Sequence, residues 1–201
     1  MEIRKSFKFN GMHIVRNCSS ERCKKSLHAH EYKVEVLFES DSLDNGMMVL
    51  DFGLMKGNIK DIIMSFNNSY SLWNKECNDF KDLIYSTQKR VVEMPVSPSA
   101  ESYAIMFYYL IKKLLKCTEF NNGENVIKVS KVIVHETRTG YAQATSSDLS
   151  LVNYKLEDIK FNQAIQDSWT LNNLISGISD YEEGIIETKP FVMPVVEQQI
   201  I

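Results

Sequence analysis

Two histidines separated by a single residue, His28 and His30, stand at the head of a stretch that alternates apolar with mostly polar side chains from Tyr32 to Phe38. A two-residue period rich in β-branched and aromatic types is the pattern of a half-buried antiparallel strand. In an extended strand each residue advances about 3.3 Å and alternate side chains share a face. His28 and His30 therefore present their imidazoles side by side, roughly 6.6 Å apart at the backbone. Two ring nitrogens at that spacing can meet at one ion. Upstream, Phe7-Lys8-Phe9-Asn10 also alternates and leads into His13. A third imidazole from a neighbouring strand gives three nitrogen ligands with one position open, the donor set of a catalytic zinc rather than of a structural one. An H-x-H pair by itself is more often a pair of polar strand-end residues than a metal site, so the rest of the chain has to decide.

The length, 201 residues, suits one compact domain plus an extension. With 23 basic against 26 acidic residues the net charge is −3, which points away from a nucleic-acid partner. No run approaches the roughly 18 apolar residues that a membrane span needs, and no apolar stretch follows Met1-Glu2-Ile3-Arg4-Lys5, so a cytoplasmic protein is expected. Cys18, Cys23, Cys77 and Cys117 are scattered without C-x-x-C spacing, which favours free thiols in a reducing compartment.

Periodicity predicts strands over 3–16 and 30–40, joined by a polar loop with Cys18 and Cys23, and a turn at Asp44-Asn45-Gly46. From Asp51 the apolar residues Leu54, Met55, Ile59, Ile62, Ile63 and Phe66 recur at helical steps, and a second helix follows Pro98 with Ser99 placed to cap it. Residues 67 to 97 read as irregular with one short helix. Val126–His135 and Tyr141–Ala144 read as a closing strand pair about the turn Thr137-Arg138-Thr139-Gly140. Leu156 to Ile178 has room for one or two short helices, and Pro190 and Pro194 suggest an extended tail.

The order of these motifs resembles the family of 6-pyruvoyl-tetrahydropterin synthase and 6-carboxytetrahydropterin synthase. The residues that carry the resemblance are Phe9-Asn10-Gly11-Met12-His13, Cys23 before His28-Ala29-His30, Gly46-Met47-Met48-Val49-Leu50-Asp51-Phe52 through Lys56, Pro98-Ser99-Ala100-Glu101, and Glu136-Thr137. They span residues 2 to about 146, in order, and the carboxy-type enzymes of queuosine (7-deazaguanine) biosynthesis look most similar. The resemblance implies an α+β tunnelling fold of order ββααββ, an antiparallel sheet with two helices on one face, in which protomers join their sheets into a barrel. Pairing edges between subunits removes open edges, and a homohexamer built as a dimer of trimers is expected. It also divides the chain into a synthase-like domain over 1–148 and an extension over 149–201.

By the same resemblance His13, His28 and His30 hold zinc, Cys23 is the catalytic base, Glu136 anchors a pterin substrate and Ser99 helps to bind it. Cys18 competes with Cys23 for the role of base. A carboxylate such as Glu136 can accept a bidentate pair from the amino and ring N–H edge of a pterin. Alternation turns His135 away from the site. Glu101 suits the first turn of its helix, and Asp51 reads as a helix cap or a partner of a zinc histidine. One departure matters. Where the family carries an Asp-His dipeptide that relays the cysteine's proton, this chain has Asn67-Asn68, and asparagine takes up no proton near neutral pH. The expected activity is a lyase of the 6-carboxytetrahydropterin synthase type on 7,8-dihydroneopterin triphosphate, impaired by the missing pair. The alternatives are a zinc- and pterin-binding homologue without turnover, or a different pterin side-chain reaction such as pyruvoyl formation.

Overall fold

The computed structural model describes residues 1–196. β1 (Glu2–His13) and β2 (His28–Glu39) pair antiparallel along their whole length, with α1 (Glu21–Lys25) between them. The chain continues through α2 (Asn58–Met64), β3 (Ser69–Trp73), α3 (Asn78–Thr87), β4 (Val91–Met94), α4 (Ala100–Lys116), β5 (Thr118–Glu119), β6 (Lys128–His135) and β7 (Tyr141–Ala144). After β7 come β8 (Lys160–Phe161), α5 (Gln163–Gln166), α6 (Leu174–Glu182) and β9 (Phe191–Val192). The main sheet runs β7-β6-β2-β1-β3-β4-β8 and is open, while β5 and β9 pair separately.

The four strands β7-β6-β2-β1 are antiparallel, as alternation predicts. On one face Phe9, Tyr32, Val34, Val36 and Phe38 are buried against α2 and α4, which add Ile59, Ile62, Ile63, Tyr103, Met106, Phe107 and Leu110. Each such side chain contributes about 1.5–3 kcal/mol on full burial. The outer residues of the same strands, Lys8 and Glu31 among them, are exposed and pair across the hairpin at 3.0 Å. α4 begins where Ser99 was expected to cap it. The Ser99 side chain accepts from the Ser102 amide at 3.3 Å, and the Ser102 hydroxyl accepts from the Ser99 amide at 2.8 Å.

Residues 67 to 97 depart from expectation. They are not irregular with one short helix: β3 joins β1 in parallel, β4 joins β3 in parallel, and the ten-residue α3 lies between them. The reason is burial on both faces. Val92 and Met94 point into the main core, whereas Tyr70, Leu72 and Val91 pack with Ile84 of α3 in a second cluster. Strands covered on both sides lose the alternation that identifies a half-exposed one. The helix expected from Asp51 also starts later. A 3-10 turn at Leu54–Lys56 precedes α2, and the Asp51 side chain accepts from the Gly53 amide at 2.6 Å.

The segment after β7 packs on the same core. Tyr154, Leu156, Ile159, Phe161, Ile165, Trp169, Leu174 and Ile178 are buried in the main cluster, and β8 extends the sheet beside β4. Among the described residues no helix is long and apolar enough to cross a membrane.

Candidate metal centre

The hairpin register builds the centre. His13 faces His28 directly across the strands, and Gly11 faces His30. The ring centroids of His13 and His28 are 4.4 Å apart, those of His13 and His30 5.5 Å, and those of His28 and His30 5.3 Å. One potential ligand atom from each of the three lies within 4.8 Å of the others. Gly11 is required for close approach, because a Cβ there would stand 2.9 Å from a ring carbon of Phe9.

These residues fit a zinc ion. His13 Nδ1 is 2.9 Å from the Pro98 carbonyl oxygen and His28 Nδ1 is 2.9 Å from that of Ser26. Each carbonyl takes an N–H from its ring, which leaves both Nε2 lone pairs for a metal and fixes the ring planes. Burial first, then the neighbouring His28, pulls His13 from its ordinary 6.5 down to about 4, against the raising effect of the Pro98 carbonyl and with a smaller lowering by His30. His13 is thus neutral at pH 7, the form that ligates. Three nitrogens at about 2.1 Å on tetrahedral directions stand roughly 3.4 Å apart, a spacing of the same order as the 4.8 Å limit of the cluster. His28 and His30 are half-buried, so the cluster is reachable from solvent.

Glu136 joins the cluster from the end of β6. Its Oε1 lies 3.8 Å from His13 Nε2, and the side chain is 31% exposed, so an acceptor carboxylate remains open beside the histidines. The turn expected there forms, with the Glu136 and Thr137 amides donating to the Gly140 carbonyl. Sequence reasoning missed Tyr32, whose hydroxyl donates to Glu136 Oε1 at 3.1 Å and touches the His13 ring. Its signal was available: it continues the i, i+2 row of His28 and His30. Pro98 was quoted only as part of a motif, and its carbonyl turns out to orient His13.

The other expected residues fall in distinct places. Cys23 is half-buried on α1 and its carbonyl accepts from the Val15 amide at 3.1 Å, which brings its turn against the end of β1; it is not among the three clustered ligands. Arg16 supports that turn, donating to the Lys24 carbonyl at 2.9 Å while Glu76 grips its guanidinium at 2.6 and 3.2 Å. Lys24 and Lys25 both pair with Glu21, at 2.6 and 2.7 Å, so the two lysines after Cys23 are already engaged by a carboxylate. Cys18 is half-buried with its thiol donating to the Ser20 carbonyl. The Ser99 hydroxyl caps α4, and Glu101 is exposed in the first turn. His135 lies on the opposite sheet face, 3.4 Å from Glu35. Asn67 and Asn68 form the turn from α2 into β3. The Asn67 side chain accepts from the Asn10 amide at 3.0 Å, the Asn68 amide donates to the Asn10 carbonyl at 2.7 Å, and Asn68 adopts φ 52°, a left-handed conformation that asparagine tolerates.

A sheet with helices packed on one side, carrying three convergent imidazoles and an adjacent carboxylate, defines an α+β protein with a candidate three-histidine metal site. The sequence profile of 6-pyruvoyl tetrahydropterin synthase matches residues 2–147, and the chain belongs to that family. It is 40% identical over 195 residues to a Helicobacter pylori protein named 6-carboxy-5,6,7,8-tetrahydropterin synthase, covering 94% of this chain and 98% of the relative. An Aquifex aeolicus protein of the same name is 35% identical over 127 residues, covering 59% of this chain and 73% of the relative. Among solved structures, the fold is similar to that of a Plasmodium vivax 6-pyruvoyltetrahydropterin synthase, with TM-score 0.52 at 16% identity over 72% of this chain and 96% of the other. An uncharacterized Wolinella succinogenes protein gives TM-score 0.54 at 20% identity over 73% and 98%.

Proposed function

We propose that this protein is a zinc-dependent lyase of the 6-carboxytetrahydropterin synthase type, acting on 7,8-dihydroneopterin triphosphate on the route to queuosine and other 7-deazaguanine bases. The observation that carries the reading is the convergence of His13, His28 and His30 within 4.8 Å beside the open carboxylate of Glu136. The relatives that share 40% of its residues along nearly the whole chain bear the name of that activity. Zinc held by the three imidazoles would supply Lewis-acid polarisation of a substrate oxygen, which makes the protons beside it easier to remove. Glu136 binds the amino and ring N–H edge of the pterin, a charge-assisted pair that fixes the ring. Cys23, as thiolate, takes the side-chain proton. Ser99 helps to bind the substrate, since its hydroxyl accepts one bond in the cap and keeps its proton to donate. With asparagine at 67 and 68 no side chain at that turn accepts the proton onward, so turnover is slow.

A second reading, a zinc- and pterin-binding homologue without turnover, is favoured by Asn67-Asn68 alone. Zinc-loaded protein incubated with 7,8-dihydroneopterin triphosphate and analysed by chromatography with mass spectrometry separates the two. The expected outcome is 6-carboxytetrahydropterin, abolished by Cys23→Ala at unchanged zinc content. Bound pterin without product selects the second reading, and absence of both overturns the first. We further propose a homohexamer, since β7 ends the sheet and residues 2–10 of β1 have no strand partner on the side away from β2 among the described residues. Light scattering should give about six times 23.2 kDa.

A further inference from the structure

The hydroxyl of Tyr32 occupies the gap between the histidine cluster and Glu136. Tyr32 lies on β2 two residues beyond His30, is fully buried, and has its ring stacked on Phe9 at 4.8 Å and set edge-on to Tyr103 at 5.3 Å. That packing leaves the ring one orientation. Its oxygen is 3.3 Å from His13 Nε2 and 3.4 Å from His13 Nδ1, nearly equidistant, so it sits over the edge of the imidazole between the two nitrogens. His13 Nδ1 is satisfied by the Pro98 carbonyl. The hydroxyl has one proton to give, and Glu136 Oε1 at 3.1 Å is the acceptor in line for it.

We infer that Tyr32 is a positioning residue that ties the substrate-anchoring carboxylate to the metal-binding histidines, setting the separation between the two ends of the pocket. The inference rests on the reading above that Glu136 anchors the pterin. A partly exposed glutamate with three rotatable bonds samples many orientations, and each one lost on binding weakens the complex. A hydrogen bond from a rigid, buried phenol removes that freedom in advance. It uses only part of the carboxylate's acceptor capacity, so the remaining lone pairs stay available to a donor edge.

Tyr32→Phe deletes a single oxygen and retains the ring stack, which makes it the decisive variant. The measurements are zinc per chain and the affinity of zinc-loaded protein for 7,8-dihydroneopterin by fluorescence, on wild type, Tyr32→Phe, Glu136→Gln and the double variant. The expected result is unchanged zinc content, affinity weakened roughly tenfold or more in Tyr32→Phe, and a double variant no weaker than Glu136→Gln, since the two act through one bond. Wild-type affinity in Tyr32→Phe overturns the inference while Glu136→Gln still reports on the anchor. Loss of zinc in Tyr32→Phe also overturns it, because the hydroxyl then serves His13 and not Glu136. If wild type and Glu136→Gln bind the pterin equally, the anchor reading itself fails, and this inference with it.

Discussion

The β1–β2 hairpin carries the metal centre and the turn between α2 and β3 bonds to the same hairpin at Asn10, yet they are built on opposite plans. In the hairpin, side chains on one face of regular strands converge, and the polar atoms left open are the useful ones: two imidazole Nε2 positions and one carboxylate. In the turn the backbone amides and carbonyls and the Asn67 side-chain oxygen are used to hold the chain. Asn67 and Asn68 bond to Asn10, and Arg90 donates to the carbonyls of Met64 at 3.0 Å, Asn67 at 3.1 Å and Ala164 at 3.4 Å and to the hydroxyls of Ser69 and Ser168. Trp169 adds a bond to the Ser65 hydroxyl at 2.8 Å, and the Thr170 amide one to Asp61 at 2.7 Å. The C-terminal segment thereby clamps the turn. A site that must bind and release keeps spare hydrogen-bonding capacity, and a joint that must stay put commits its backbone and buried groups.

Removing a ligand from the hairpin tests the first half of the contrast and has the largest effect. His30→Ala should weaken zinc binding roughly a thousandfold, one ligand's share of a structural-scale binding energy, measured by competition with a chelator. Unfolding midpoints of the zinc-free protein should stay close to wild type, because His30 is half-buried and its side chain makes no hydrogen bond to other described residues.

Acid should act on the same region. His13 falls to about 4 in the folded protein from 6.5, so the unfolded chain takes up its proton first as pH drops. Stability of the zinc-free protein is therefore intact above pH 6.5 and declines as pH falls from 6.5 to about 4, by about 3 kcal/mol, read from urea melts across that window. Saturating zinc should hold stability up to lower pH, since the metal competes with the proton.

The turn can be converted to the other plan. Asn67→Asp with Asn68→His restores a group that accepts a proton, and turnover should rise about a hundredfold, the lower end of what general acid-base help supplies. The same double change places histidine at φ 52°, so a stability loss of about 1 kcal/mol should accompany the gain. An unchanged rate would mean that this turn has no part in the chemistry.

The smallest effect on the site, with a clear effect on the fold, belongs to Arg90→Met. It strands several carbonyls that the guanidinium now satisfies, and stability should drop by about 2 kcal/mol in urea melts with zinc content unchanged. Zinc loss in that variant would erase the distinction between the two regions.

The hairpin was legible because it is half-exposed. Alternation marked its strands to within three residues of their ends, and the row His28, His30 followed from the two-residue period. Ser99 at the head of α4 and the turn before β7 were legible for a similar reason, since caps and tight turns depend on local side-chain chemistry. β3 and β4 were not. Tyr70, Leu72, Val91, Val92 and Met94 are buried on two sides by elements far away in the chain, so no local period survives. Arg90 gave no signal either, because its acceptors are backbone carbonyls that any residue supplies.

The chain's own order of residues determined the antiparallel hairpin, the face on which His28 and His30 lie, and the family to which the protein belongs, since strand period and motif order are properties of neighbours along the backbone. Tertiary structure alone decided that Pro98 orients His13 from 85 positions away and that Tyr32 meets Glu136 across 104. It also decided that the final third of the chain locks the turn at Asn67-Asn68. Those contacts arise from packing in three dimensions, where the nearest partner of a side chain is chosen by the shape of the core and not by its place in the sequence.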